Sequence, residues 1–468
     1  MPTRLLHVGA KDAVVIRLTD INDKSPVSYA ALSYCWGDLK ANEFQTTQAT
    51  VASRYEGVDF RQLPRTIKDA VTTTRALGLE YLWVDSLCII QDDKDDKNRE
   101  IADMSRIFGN STITISAARA ERCTDGFLQE RDLIACYEQV YELPFVGPDG
   151  IPTGQTVFCS ERDLRRSERD PIDFRAWPLE EHRLPPRLMR FGTYQVVLTY
   201  RTPENSYEKV RVDGGSDELL EQPADFSSNA STQALTEWQK DIVQYTSRSI
   251  TQPEDRLPAI AAVAENYGKR LGSGPQDYLA GLWRQGLPGL LLWYIPDDSI
   301  PRQSFRPTAD TIDTSPSWSW QYAPVGVQYA KEINRAYKPG LLEILDCKTS
   351  LATEIEYGRV ANGRLVVKGP LVKVIYDGTP FMIDSPGDLV RIASIRVKWD
   401  KMMESLYGKF LYCLRVVDDG CGHYHGLVLE KLSDENFRRV GYFESKAKGY
   451  KEGKRLFQHV EHQVVTII

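Results

Sequence analysis

The sequence predicts a three-layer α/β domain, then a helical region, then a mainly antiparallel β region. Three observations carry that expectation. The stretch from Tyr81 to Ala118 opens on a nearly unbroken apolar run, Leu82 to Ile90, of strand-like length. It then switches period, with Ile101, Met104 and Phe108 spaced as one helical stripe, and ends on an alternating run from Thr112 to Ala117. Such a strand, crossover helix and strand must be parallel and right-handed.

The other elements follow in order. Short apolar stretches at 12–18 and 28–35 read as opening strands, and the second, YAALSYCWGD, ends in the turn-forming Gly37 and Asp38. From Pro64, the residues Ile67, Ala70, Val71, Thr74 and Leu77 share one helical face, with Gly78 suited to the stop. Gly109 and Asn110 stop the next helix. The segment 119–172 is less regular, with loops at Cys123 to Gly126 and Gly147 to Gly154. Pro178 can start a helix that Pro185 and Pro186 must end, so Leu179 to Leu184 spans barely two turns, with Glu180 and Glu181 in the first. Residues 203–232 read as a polar linker, and Trp238 to Tyr245, Leu257 to Leu271 and Tyr278 to Leu290 carry helical spacing. From Leu341 onward, Arg364 to Tyr376, Arg391 to Trp399, Phe410 to Val417 and Tyr424 to Leu432 are rich in β-branched and aromatic residues. The expected division is an α/β domain over 1–205, linker and helical region over 206–335, and a β-rich region over 336–468.

Composition narrows the function classes. A chain of 468 residues with 42% hydrophobic and 26% charged residues is that of a multidomain globular protein. A net charge of -7 argues against a chain-wide nucleic-acid footprint, so nucleic acid is not an expected partner. None of the eight cysteines falls in a C-x-x-C pair, so neither a disulfide scaffold nor a standard zinc module is indicated. No signal-like segment opens the chain and no run of about 18 apolar residues occurs, so a cytoplasmic protein without a membrane partner is expected.

Three stretches resemble the fungal heterokaryon-incompatibility (HET) domain family: YAALSYCWGD at Tyr29 to Asp38, LPRTIKDAV through the segment ending TITISA, and RAWPLEEHRLPPRLMRF at Arg175 to Phe191. The stretch from Trp238, YLAGLW at Tyr278 to Trp283 and PSWSW at Pro316 to Trp320 resemble what commonly follows that domain. The family usually has Gln where this chain has Glu180, and its Gln before the second helix is replaced by Asn98. HET domains are in turn similar to TIR domains, which cleave NAD at its nicotinamide bond or act as assembly modules in cell-death signalling. That resemblance implies a TIR-like, flavodoxin-like parallel sheet with helices on both faces. The TIR pattern of Trp followed four residues later by a catalytic Glu fits Trp177 and Glu181.

The chemistry follows from residue type and position. In open parallel sheets ligands bind at the carboxyl ends of the strands, where Trp36, Gly37, Asp85, Cys88, Gln91 and Arg119 are expected. Cleaving the bond to a pyridinium passes through an oxocarbenium-like ribosyl centre, which one carboxylate, Glu181, can stabilise; nicotinamide leaves neutral, so no general acid is needed. Pairing with Arg175 or Arg187 is the competing reading for Glu181. Asp85 can hold ribose hydroxyls or make a structural hydrogen bond. Trp36 and Trp177 can stack on a ring or close a core. Arg119, Arg175 and Arg187 can neutralise a pyrophosphate or form surface pairs. Cys88 with His182 would suit a thiol hydrolase, although a cysteine in an apolar strand is usually packing. The run from Gln91 to Lys97 lacks calcium-loop spacing, and Cys413, Cys421, His423 and His425 lack zinc spacing, so no metal is expected. No P-loop, GxGxxG, GxSxG or HExxH occurs.

The resemblance thus implies an effector of nonself recognition and programmed cell death, with NAD as substrate rather than cofactor. Self-association, or another incompatibility or receptor protein, is the expected partner. Two other readings stand beside it. One is a non-catalytic assembly module. The other is an enzyme recruited to small-molecule metabolism, in which the adjacent Glu180 and Glu181 act as acid and base.

Overall fold

The structure is a computed structural model. It describes residues 1–21, 27–37, 44–131, 140–146, 151–160, 169–201, 207–211, 230–250, 252–296, 315–330, 341–352, 356–376, 382–385, 388–391, 395–399, 406–418, 424–433, 435–445, 457 and 460–468. Asp38, Cys421 and His423 lie outside the described residues. Two compact units divide the chain, Met1–Pro223 and Ala224–Ile468.

The first unit is built on a nine-stranded mixed sheet. Its strands are β1 (Arg4–His7), β2 (Val15–Asp20), β3 (Tyr29–Ser33), β4 (Val58–Asp59), β5 (Tyr81–Trp83), β6 (Ile113–Ser116), β9 (Arg187–Phe191), β10 (Val196–Arg201) and β11 (Tyr207–Arg211), with a separate hairpin of β7 (Val140–Val146) and β8 (Pro152–Ser160). The helices are α1 (Val51–Glu56), α2 (Arg65–Ala76), the single turn α3 (Asp85–Cys88), α4 (Lys94–Gly109) and α5 (Pro178–Arg183). The sheet order is β11-β10-β9-β6-β3-β5-β1-β2-β4, and the pairs β9–β6, β6–β3 and β3–β5 are parallel. Counted along the chain, the four parallel strands run in the order 2-1-3-4, which is the flavodoxin-like order. The chain leaves β3 toward β5 and later crosses back to β6. Right-handed crossovers in opposite directions put α2 on one face and α4 and α5 on the other, and α4 does pack against α5.

Three of the four parallel strands, β3, β5 and β6, are largely apolar because both faces are covered: Tyr29, Ala30, Ala31, Leu82, Trp83 and Ile115 are fully buried. Four local expectations are corrected. The apolar run 82–90 is not one strand; β5 ends at Trp83, and Leu87 and Cys88 N–H donate to Val84 O, closing the α3 turn. Ile101 is exposed, and Asp96 and Glu100 take the inward positions of α4 instead. The cause is Arg4. The antiparallel register Leu6↔Leu82 brings Arg4 beside the exit of β5, where its guanidinium donates to Asp96 and to Cys88 O. A buried cation there requires a buried carboxylate. Leu77 is likewise exposed at the end of α2. Finally, β11 occupies part of the stretch read as a linker.

The second unit opens on α6 (Ala230–Thr246) and α7 (Ala261–Leu271). Helical spacing fails at Tyr278 to Leu290, where β12 (Tyr278–Leu279) and β13 (Leu282–Trp283) form a hairpin. Its two turn residues, Ala280 and Gly281, both have positive φ, as a tight two-residue hairpin demands. The Gly281 carbonyl accepts from the indoles of Trp238 and Trp320, so the turn is locked between the α6 and PSWSW tryptophans. A short pair follows, β14 (Trp293–Tyr294) and β15 (Gln328–Tyr329). The remainder is a nine-stranded sheet of β16 (Glu343–Leu351), β17 (Val360–Ile375), β18 (Met382–Ser385), β19 (Asp388–Arg391), β20 (Ile395–Trp399), β21 (Phe410–Asp418), β22 (Tyr424–Lys431), β23 (Asn436–Ser445) and β24 (His462–Ile467). All its pairs are antiparallel except β23–β24, and β24 bonds both β17 and β23, so the pairing closes into a barrel-like ring. Among the described residues no helix is long and apolar enough to cross a membrane.

Candidate active site

The reversal of strand order lies between β3 and β6. In an open parallel sheet this is where the two loops leaving the carboxyl ends diverge and leave a crevice. Three segments meet there: the exit of β3 (Ser33 to Gly37), the α3 turn, and the segment from Asp170 to Arg183 that carries α5.

Asp85 is the best-defined group. Its Oδ2 accepts from Trp36 Nε1 at 2.8 Å and its Oδ1 from Ser86 N–H at 2.6 Å, while Tyr34 Oη donates to Ser86 Oγ at 2.8 Å. Burial pushes the Asp85 carboxyl up from 3.8 to about 6, against the opposing pull of Trp36, Ser86 and the Arg175 charge. Trp36 is therefore a hydrogen-bond donor to the carboxylate, with part of its ring packed on the core. Gln91 Nε2 donates to the Asp85 carbonyl at 3.0 Å, which ties the following loop to the same turn.

Arg175 reaches the site from the other side. Its Nη1 donates to Tyr34 O at 3.1 Å, and its charge acts on both Asp85 and Cys35. Burial raises the Cys35 thiol; Arg175 opposes that rise, and Glu181 and Asp173 add to it. Glu181 thus shares with Arg175 an electrostatic influence on Cys35. It is half-buried, whereas the adjacent Glu180 is buried. Trp177 precedes the first turn of α5, and its carbonyl accepts from Glu180 N–H.

The segment before α5 is fastened by Arg190 of β9, whose guanidinium bonds Asp170 at 2.6 Å and Asp173 at 2.7 Å. Asp170 also accepts from Thr193 N–H and Oγ1, so one carboxylate joins the start of this segment to the β9–β10 turn. Gly37 has φ +81°, and a Cβ there would meet the Arg122 side chain at 2.8 Å. The β3 exit can therefore pass Arg122 only as glycine.

Three expected residues lie apart. Cys88, the last residue of α3, is fully buried, its thiol pushed up to about 12 by burial, as inert packing. Arg187 begins β9, at the amino end of the parallel strands, and donates to Thr112 O at 3.3 Å. Arg119 is held by its own backbone N–H to Phe191 O, and its Nη1 donates to Gln129 O at 3.4 Å. Three residues were not singled out from the sequence. Ser33 and Ser116 are register partners on β3 and β6, and His182 Nε2 lies 3.3 Å and 3.0 Å from their hydroxyls. Tyr34, which anchors both Ser86 and Arg175, is the third.

Residues 29–181 match the family model described as Heterokaryon incompatibility protein (HET). The chain carries a HET domain. The match begins on the first residue of β3 and ends on Glu181, so it takes in the β3 exit, the α3 turn and the third segment as far as Glu181, stopping just before His182. The HET domain links the chain to heterokaryon incompatibility. Comparison with curated proteins and with solved structures finds no match. Outside the HET match, Arg4 of β1 and Arg190 of β9 each fix one wall of the HET-domain crevice. Among the described residues no group of three or more His, Cys, Asp or Glu side chains is placed to hold a metal ion.

Proposed function

We propose that the HET domain binds NAD in the crevice between β3 and β6 and cleaves its nicotinamide–ribose bond, as a cell-death effector of nonself recognition. The observation that carries this reading is the meeting of Asp85, Trp36 and Arg175 around the β3 exit, next to the segment that bears Glu181, at the topological switch point of a flavodoxin-like sheet. The bond from ribose C1′ to the pyridinium nitrogen breaks, and its electron pair stays on nicotinamide, which leaves neutral. Water attacks C1′ and loses a proton, giving ADP-ribose. Glu181 stabilises the positive charge that develops at C1′ in a partly water-excluded site. Asp85, held in one orientation by Trp36 and Ser86, accepts a ribose hydroxyl. Arg175 offers a planar cation to the pyrophosphate. The strand order supports the expected resemblance to TIR domains, and Trp177 and Glu181, four residues apart, lie at the N-cap and in the first turn of α5. Product analysis tests this: the full chain incubated with NAD yields nicotinamide and ADP-ribose in equal amounts, and recovery of intact NAD at high protein concentration rejects it.

A second reading, self-assembly, rests on the hairpin β7–β8. Leu143, Phe145, Val146 and Ile151 are exposed on a two-stranded sheet with no third strand among the described residues. Such a hairpin is marginal by itself and gains from burial against another copy. Light scattering on a Leu143→Ser/Phe145→Ser variant separates the readings: loss of assembly with retained NAD cleavage makes the hairpin an association surface and not part of the site.

A further inference from the structure

We infer that His182 is a positioning residue: through Ser33 and Ser116 it fixes the turn that bears Glu181 over the boundary between β3 and β6. The inference rests on the proposed function for its catalytic consequence, but its structural half stands by itself. The two serines are fully buried at positions where a parallel strand normally carries apolar side chains. A buried hydroxyl is costly unless hydrogen-bonded, so each needs a partner. Because Ser33 and Ser116 are direct register partners, their side chains rise side by side from one face of the sheet. One imidazole nitrogen, His182 Nε2, lies within hydrogen-bonding distance of both hydroxyls, at 3.3 Å and 3.0 Å, and is shared between them.

The carrier of that imidazole is a helix of six residues. A helix so short has no stability of its own, so its place is set by tertiary contacts. Leu179 supplies apolar burial, which is non-directional and tolerates sliding or rotation. Hydrogen bonds from a planar ring to two hydroxyls are directional, and they fix both the depth and the rotation of the turn. Glu181 is the preceding residue, so an error in the ring's seat passes directly to its carboxylate. The site's two carboxylates are then positioned by different devices, Asp85 by Trp36 and Ser86, Glu181 by His182 and the serine pair.

The test uses the full chain with two variants, Ser33→Ala/Ser116→Ala and His182→Leu, and reads hydrogen exchange and nicotinamide release together. In both variants the amide of Leu184, which donates to Glu180 O, exchanges about tenfold faster, while amides of α2 keep their wild-type protection. The unchanged α2 controls for general unfolding. The release rate constant kcat falls about tenfold or more with KM changed less than about twofold, because NAD still meets Asp85 and Arg175. A His182→Gln variant, whose amide can still bond a hydroxyl, recovers part of the loss. Wild-type exchange at α5 in the serine variant would overturn the inference. So would a loosened α5 with undiminished kcat, since the turn would then need no pin. If the wild type releases no nicotinamide at all, the proposed function falls, and the exchange measurement alone decides whether the pin exists.

Discussion

The Asp85 carboxyl makes the stability of the first unit depend on pH in a direction opposite to that of an ion-paired carboxylate. Its pKa in the folded chain is about 6 against 3.8 for the ordinary group. The raised value means that the protonated form is preferred in the fold. This group's full contribution is therefore present below about pH 3.8 and is lost as the pH rises through about 6. At 1.36 kcal/mol per tenfold step in acidity, the difference amounts to about 2 kcal/mol between pH 4 and pH 7, since part of it is already lost at pH 4. Asp85→Asn removes that dependence. Asparagine has one carbonyl oxygen for two donors, Trp36 Nε1 and the Ser86 N–H, so its amide nitrogen must face one of them at a cost of about 1–3 kcal/mol. That mismatch is the same at every pH, so it cancels from the pH trend. The stability of the variant relative to wild type should rise by about 2 kcal/mol from pH 4 to pH 7. Denaturant titrations read by hydrogen exchange of peptides within 81–116 report the first unit alone. Two parallel curves, with a difference flat to within about 1 kcal/mol, would refute the claim that burial dominates at Asp85.

Two further outcomes are expected from packing. Arg190→Gln leaves Asp170 and Asp173 without their shared cation and should cost about 3 kcal/mol, seen as a lower unfolding midpoint of the first unit; a change under about 1 kcal/mol would mean that the clip is solvent-screened. Gly281→Ala puts a Cβ 2.5 Å from the Trp320 indole at φ +94°, so the second unit should lose about 3 kcal/mol or more, followed by thermal unfolding, whereas a wild-type midpoint would show that the hairpin turn can move.

Much of the first unit was legible because its residues obey local rules. Pro64 and Gly78 bracket α2, Gly109 and Asn110 end α4, and Pro178 with Pro185 confines α5 to two turns. The α/β class and the placing of Asp85 at a strand end followed from the same periodicities. What local rules could not give depends on contacts distant in sequence. The run 82–90 looked like one strand because apolar residues of a buried turn and a buried strand are alike to periodicity. Ile101 looked buried because nothing near it announced Arg4, which lies 92 residues before Asp96 and draws Asp96 and Glu100 inward at the start of α4, while Met104 and Phe108 keep to the core. The serine pair was invisible for the same reason, since His182 lies 149 and 66 residues from its two partners. In the second unit, Tyr278 to Leu290 carried helical spacing, but the two positive-φ residues at 280 and 281 impose a hairpin.

In the proposed function Glu181 acts chemically at the β3–β6 crevice. The direct measurement is kcat for nicotinamide release by the full chain and by Glu181→Gln, with both shown to be folded by equal exchange protection in α2 and β6. The account predicts that the wild type releases nicotinamide and that the variant is slower by about 100-fold or more, the loss expected when a group facing developing charge is neutralised. Equal rates in the two proteins, or no release by the wild type under conditions that drive self-association, would contradict it.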